Sequence, residues 1–279
     1  MKTKIEQLRS WIAESKRMVF FGGAGVSTES GIPDFRSVDG LYHQKFDYPP
    51  ETIISHSFFL KNPEYFYRFY REKMLPLGFE PNVTHRVLAR LEQEGHLAAV
   101  VTQNIDGLHQ KAGSKRVYEL HGSVLRNYCM KCGNFDPGEF VRDAKGIPRC
   151  TCGGIVKPDV VLYEEALDEK TLAGAISAIR QADVLIVGGT SLTVYPAAGL
   201  LGYYRGDRLA LINRDETPYD DMAGLVLYAS LGDVFSQLEG GQAWKRPAFS
   251  VPLRMCTANS PGNSASRARA ASCRSCARS

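Results

Sequence analysis

A parallel α/β sheet with a helical insert and a small cysteine-bearing lobe is the fold class this sequence predicts, on three observations. Short apolar runs rich in β-formers alternate with amphipathic helical stretches along most of the chain. The first run, Met18 to Phe21, opens straight into Gly22-Gly23-Ala24-Gly25, small residues that let backbone approach an anion where a strand hands over to a helix. Two cysteine pairs, Cys129-x-x-Cys132 and Cys150-x-Cys152, each bordered by glycine, interrupt the alternation.

Taken in order, Thr3-x-x-Glu6 reads as a capping box, and Ile5, Leu8, Trp11 and Ile12 share one face of a first helix. After the glycine-rich loop, Pro49-Pro50 breaks the chain, and Phe58, Phe59, Tyr65, Phe66, Phe69 and Tyr70 crowd a helical insert that buries its rings. Val83 to Glu94 follows as a helix and Leu97 to Thr102 as a strand. A helix near Lys170 to Arg180, strand Val184 to Val187, a helix from Pro196, and strands Leu209 to Ile212 and Leu225 to Ala229 complete the alternation. Continuous apolar strands imply a sheet covered on both faces. Ligands then sit beyond the carboxyl ends of the strands, where Gly22 to Gly25, Gln103 to Asp106, Gly188 to Ser191 and Asn213 converge. The expected division is a Rossmann-like domain over 1–38, 83–125 and 155–238, the insert over 39–82, a metal-binding lobe over 126–154, and a disordered tail over 239–279.

A chain of 279 residues that is 44% hydrophobic has the size and composition of a globular protein with a sizeable core. Its formal charge is +4, but residues 241–279 hold seven Lys or Arg and no acid, which leaves 27 basic and 30 acidic groups, a net of −3, in 1–240. The basic balance therefore gives no argument for a nucleic-acid partner. No run of eighteen apolar residues occurs, and Met1-Lys2-Thr3-Lys4 leads into no signal-peptide core, so a cytoplasmic protein with no membrane partner is expected. Seven cysteines, an odd number with four clustered, suit a metal site in a reducing compartment better than a disulfide framework.

The glycine-rich loop matches the ordinary dinucleotide fingerprint only in part, because Gly23-x-Gly25-x-x ends on Thr28. Such turns also serve purely steric ends. Ser30-Gly31-Ile32-Pro33-Asp34-Phe35-Arg36 adds a rigid turn before a carboxylate, a ring and a guanidinium, groups suited to meeting phosphate or ribose and to shielding a reactive carbon. Cys129, Cys132, Cys150 and Cys152 form two knuckles that would close on zinc; four thiolates fill a tetrahedral shell, so the ion is structural. Of the six histidines, His43, His56, His85, His96 and His109 read as ordinary surface or core residues. His121 differs by its place, after the apolar Val117 to Leu120 segment and before Gly122, where it can face a cleft between the sheet and the cysteine lobe. Asn104 and Asp106 also have a plain reading as turn caps.

Taken together, Gly22 to Ser27, Gly31 to Arg36, Thr102 to Asp106, His121-Gly122, the four cysteines and Gly189-Thr190-Ser191-Leu192 resemble the sirtuin family of NAD-dependent protein deacylases, of the bacterial and archaeal deacetylase type, over residues 1 to about 238. By that resemblance, Ala24, Thr28, Phe35, Arg36, Gln103, Ser191, Asn213, Asp233 and Val234 line an NAD site, with Phe35, Ile105 and Asp106 around the nicotinamide. It likewise implies that His121 is the general base and assigns Asn104 to the catalytic set. The implied products are nicotinamide, O-acyl-ADP-ribose and free lysine, from acetyl-lysine proteins or peptides. Val160, Val161, Leu162, Tyr163 and Glu164, with Thr193, Val194 and Tyr195, resemble the two strands between which an acyl-lysine peptide adds as a third.

Acidic-acyl members of the family carry a Tyr-x-x-Arg pair in the insert. Here Tyr70-Arg71-Glu72-Lys73 stands at that place, while Tyr65-Phe66-Tyr67-Arg68 falls one turn early, so acetyl or other neutral acyl groups are expected. Protein ADP-ribosyl transfer, a hydride-transferring dehydrogenase and a catalytically silent zinc module are the competing readings. The dehydrogenase lacks its third glycine and its βαβ acid, and the silent module leaves Arg36, Asn104, Asp106 and His121 without a role.

Overall fold

Runs such as Met18 to Gly22 have no polar face, and a strand of that kind is stable only in the middle of a covered sheet. In the computed structural model, which describes residues 1–34 and 46–239 within one compact unit, Met1–Arg246, this is where they lie. Expectations for Phe35, Arg36, His43 and 240–279 fall outside the described residues. The strands in chain order are β1 (Met18–Gly22), β2 (Leu97–Thr102), β3 (Val117–Glu119), β4 (Gly122–Cys129), β5 (Phe135–Pro137), β6 (Val156–Val160), β7 (Val184–Gly188), β8 (Leu209–Asn213) and β9 (Leu225–Tyr228). Six form a parallel sheet in the order β3-β2-β1-β7-β8-β9. Counting only these six, that is the doubly wound order 3-2-1-4-5-6.

Helices cover both faces. On one side Met18 and Phe20 of β1 pack with Ile5, Leu8 and Ile12 of α1 (Lys2–Glu14). On the other, Val19 and Phe21 pack with residues that include Ala175 and Ile179 near Arg180. The remaining helices are α2 (Pro50–Ile53), α3 (His56–Lys61), α4 (Pro63–Phe69), α5 (Val83–Gln93), α6 (Leu108–Lys111), α7 (Gly138–Asp143), α8 (Glu169–Arg180) and α9 (Leu231–Glu239). Among the described residues no helix is long and apolar enough to cross a membrane.

Three local expectations are corrected. Helix α1 begins at Lys2 with Met1 as its N-cap and no side-chain cap, so Thr3 lies inside the first turn and the capping box does not form. The glycine-rich loop leads into two single 3-10 turns, Ala24–Val26 and Thr28–Ser30, where a longer helix was expected. Beyond Pro196 the chain is also 3-10, over Ala197–Tyr203.

A second, antiparallel sheet in the order β5-β4-β6 builds the small lobe. Phe59, Phe66, Tyr67 and Tyr70 of the insert share a buried cluster with Val124, Val141 and Val156 of this lobe. The Tyr67 hydroxyl donates to the Val156 carbonyl at 2.7 Å. The insert and the lobe thus have one core between them.

Candidate active site

Neighbours β1 and β7 leave the middle of the sheet toward opposite edges, and such a switch point leaves a crevice beyond the strand ends. The cleft there encloses about 860 Å³. Its floor depends on glycine: the Gly25 N–H donates to the Gly189 carbonyl at 2.8 Å. A Cβ on Gly25 would lie 2.7 Å from Gly189 Cα, so no larger residue lets the loops after β1 and β7 stack.

Ala24 and Thr28 line the cleft, together with Gln103, Asn104, Ile105 and Asp106 beyond β2, Ser191 beyond β7, and Asn213 at the end of β8. A hydrogen-bond network fixes them. Ser27 Oγ donates to Asp106 Oδ2 at 2.6 Å and accepts from Asn104 Nδ2 at 3.0 Å. Burial pushes the Asp106 carboxyl above its ordinary pKa, against the pull of its bonds from Ser27 and the Leu108 N–H. Across the cleft, Gln103 Nε2 donates to Thr190 Oγ1 at 3.0 Å, and the Thr190 N–H donates to Asn213 Oδ1 at 2.9 Å. Asp233 and Val234 sit in the first turn of α9. Val234 is buried in the sheet core, and the lining reaches Ala229, Ser230 and Leu231 instead.

His121 lies between the two sheets and lines the cleft. Its Nδ1 stands 2.9 Å from the Gln103 carbonyl, which can only accept, so Nδ1 carries the hydrogen and Nε2 keeps a lone pair. Burial lowers its pKa below the ordinary 6.5, only partly offset by that bond, so the imidazole is neutral at neutral pH. Gly122 makes the turn possible, with φ at 75° and its α-carbon so close to the Asp159 carbonyl that no side chain fits. Arg126 braces the same junction, donating to Glu119 at 2.7 Å and to Asp159 at 2.8 Å. His85, His96 and His109 are core residues, and His56 pairs with Glu165.

Val160, Val161, Leu162, Tyr163 and Val194 all line the cleft. Val160 ends β6 and Tyr163 makes an isolated bridge with Ser55, but Val161, Leu162 and Val194 lie in no strand, which narrows that expectation. The β6 ladder registers to Val160, with one further bond from the Val161 N–H to the His121 carbonyl, and beyond it the Leu162 N–H turns to Glu165 Oε2 and the Glu165 N–H returns to the Leu162 carbonyl. Val194 accepts from the Ala198 N–H, ahead of the 3-10 segment that begins at Ala197.

In the small lobe the sulfurs of Cys129, Cys132, Cys150 and Cys152 all lie within 4.8 Å of one another. The Cys129–Cys152 and Cys132–Cys152 separations are 3.4 Å and the Cys132–Cys150 separation 3.7 Å, far beyond a disulfide bond. Four sulfurs bound to one zinc stand about 3.8 Å apart, the tetrahedral consequence of a Zn–S bond of about 2.3 Å. The donor set fits zinc, and four thiolates leave it no open position.

Sequence reasoning singled out neither Ser27 and Thr190, the hubs of the polar network, nor Glu165. The two hubs stand inside quoted motifs, and a small hydroxyl within a glycine-rich turn was the available signal; Glu165 carried none.

The geometry defines a dinucleotide-binding α/β protein with a histidine at the crevice and a thiolate metal lobe. A model of the Sir2 family matches residues 23–196, and the chain belongs to that family. An NAD-dependent protein deacetylase of Clostridium perfringens (strain 13 / Type A) is 57% identical over 242 residues, covering 85% of this chain and 99% of that one. A protein of the same description from Clostridium acetobutylicum is 58% identical over 235 residues, covering 83% and 96%. Among solved structures, a Sir2 with a p53 peptide and NAD+ superposes with a TM-score of 0.75 at 38% identity, covering 84% of this chain and 96% of that one. A Sir2 bound to acetylated peptide does so at 0.75 and 37%, covering 84% and 96%.

Proposed function

We propose that this chain is an NAD-dependent protein-lysine deacetylase that transfers the acetyl group to ADP-ribose and releases nicotinamide. The observation that carries the reading is His121: a neutral imidazole whose Nδ1 is pinned by Gln103, at the crevice where the doubly wound sheet receives a dinucleotide. NAD, when bound, supplies a ribose carbon carrying a good leaving group. Ala24, Thr28, Gln103, Ser191 and Asn213 hold the dinucleotide, and Ile105 with Asp106 meets the nicotinamide end. Phe35 and Arg36 are assigned to the same site from the sequence motif, and Asp233 and Val234 from the family resemblance alone, outside the residues that line the cleft. Asn104, locked by Ser27, orients the ribose side. His121 Nε2 takes a proton from a ribose hydroxyl, which then captures the acyl group.

An acetyl-lysine peptide lies along Val160 to Tyr163 and Val194, bound mainly through its main chain. The acyl group expected is neutral. Arg71 donates to the Val141 and Gly146 carbonyls, Arg68 lies over the Tyr65 ring, and neither lines the cleft. Nucleic acid is not assigned as a partner, because the cleft carries Glu29, Glu72, Glu164, Glu165, Asp215 and Glu216 against Lys73 and Arg214. The four uncrosslinked cysteines suit a reducing cytoplasm. The division proposed from the sequence stands beside these assignments, with the shared core making the insert and zinc lobe one module. Turnover of acetyl- and succinyl-lysine peptides with NAD tests the reading: faster desuccinylation would refute the acyl assignment.

A further inference from the structure

Two non-glycine residues among those described have a left-handed backbone, Glu164 at φ 74° and Leu192 at φ 55°. Glu164 ends the first segment flanking the cleft and Leu192 directly precedes the second, Thr193 to Tyr195. Strain of this kind persists only where surrounding contacts impose it. Leu192 is held by burial, at 2% exposure. Glu164 is exposed, so something else holds it, and the contacts of its carboxylate supply the answer. Oε2 accepts from the Ser57 N–H at 2.9 Å and Oε1 from the Ser57 hydroxyl at 3.0 Å, a two-point bond onto the first turn of α3.

The rest of the ledge is tied to the same turn. The Tyr163 N–H donates to the Ile54 carbonyl and the His56 N–H donates to the Tyr163 carbonyl, each at 3.0 Å. Glu165 Oε1 meets His56 Nδ1 at 2.7 Å, and Oε2 accepts from the Leu162 N–H at 2.9 Å and from Lys157 at 3.1 Å. On its other edge the ledge is fixed by the Val161 N–H donating to the His121 carbonyl at 3.0 Å. Val161 to Tyr163 is therefore suspended between the catalytic junction, which the sheet holds rigidly, and the helical insert, to which Glu164 is the side-chain anchor at the strained point.

We propose that Glu164 is a positioning residue for the acyl-lysine peptide: by clamping Ser57 it holds the Val161 to Tyr163 ledge at the height where an incoming strand pairs with it. The proposal rests on the deacetylase reading. It predicts an effect on peptide binding alone, because His121 and the loops that line the rest of the cleft are held by other bonds. Loss of the two bonds to a carboxylate leaves an ordinary side chain in a conformation it disfavours, and the ledge relaxes.

The test is steady-state kinetics with an acetyl-lysine peptide and NAD on wild type, Glu164→Ala, Glu164→Gln, Glu164→Gly, Ser57→Ala and the double variant Glu164→Ala with Ser57→Ala. Wild-type turnover in the same assay establishes the underlying activity independently of the proposal. Glu164→Ala should raise KM for peptide about tenfold, as expected for losing bonds to a charged group, with KM for NAD and kcat within about twofold. Glu164→Gln keeps an acceptor for Ser57 and should recover most of the loss. Glu164→Gly, which accepts positive φ freely, should fall between them. Ser57→Ala should add little to Glu164→Ala if the two act as one clamp. An unchanged peptide KM in Glu164→Ala, an equal rise in the KM for NAD, or full additivity with Ser57→Ala would overturn the proposal. So would an effect confined to peptides with flanking Lys or Arg, which would make Glu164 a direct charge contact.

Discussion

Replacing Gly122 by alanine should separate catalysis from coenzyme binding. At φ 75° an L-residue costs about 1–2 kcal/mol. The added Cβ would also lie 2.9 Å from the Asp159 carbonyl carbon and nearer still to its oxygen. Carbon contacts rest at about 3.5 Å or more, so β4 and β6 must part by on the order of 1 Å at the residue next to His121. A displacement of that size in a catalytic group costs on the order of 100-fold in rate. Overpacking and strain together cost about 2–4 kcal/mol, which for a folded body of this size lowers Tm by about 5–15 °C. The Gly22 to Gly25 and Gly189 loops are held to each other by the Gly25–Gly189 bond and stand at the ends of β1 and β7, not on β4 or β6, so NAD affinity should hold. The assay is acetyl-peptide turnover at saturating NAD, with NAD affinity by calorimetry and Tm by scanning. A variant with activity within about fivefold of wild type and an unchanged Tm would refute the argument that this glycine sets the His121 geometry.

Other outcomes follow from single contacts. With the His121 pKa depressed by burial, kcat/KM should fall only as pH drops through a value below the ordinary 6.5, where the base becomes protonated; a limb above 6.5 would contradict that environment. His85, desolvated and with its pKa lowered to about 4, is neutral when folded, whereas the unfolded chain takes up its proton near 6.5. Stability should therefore be complete above 6.5 and fall by up to about 3 kcal/mol as pH drops toward 4, a loss that His85→Gln should lessen in urea titrations at both pH values. Cys150→Ser should abolish stoichiometric zinc and melt the small lobe, read by metal analysis and by hydrogen exchange across β4 to β6; retained zinc would remove the four-thiolate assignment.

What the chain revealed in advance follows from how local each signal is. β2 begins and ends where its apolar run does, and β1 extends past Phe21 only to Gly22, because continuous β-forming segments have no alternative placement. The cysteine knuckles and the junction at His121 were likewise legible from spacing and flanking glycine. The segment Val160 to Glu164 reads as strand only from the family resemblance; past Val160 just Tyr163 keeps a bridge, because Glu165 closes a turn onto the Leu162 N–H. The union of insert and zinc lobe was hidden for a related reason: Tyr67 finds Val156 across 89 residues, a distance that no local pattern records. Glu164 left no trace in periodicity, because a single left-handed residue changes neither hydropathy nor spacing.

The central claim is that one crevice activates NAD for attack by an acetyl-lysine oxygen and that His121 draws off the ribose proton. Mass spectrometry of an acetyl-lysine peptide incubated with and without NAD, with wild type and His121→Ala, tests it most directly. The expected result is deacetylated peptide together with acetyl-ADP-ribose and nicotinamide in equal amounts, only with NAD and only with the wild type. Deacetylated peptide formed without NAD, or undiminished in His121→Ala, would contradict it.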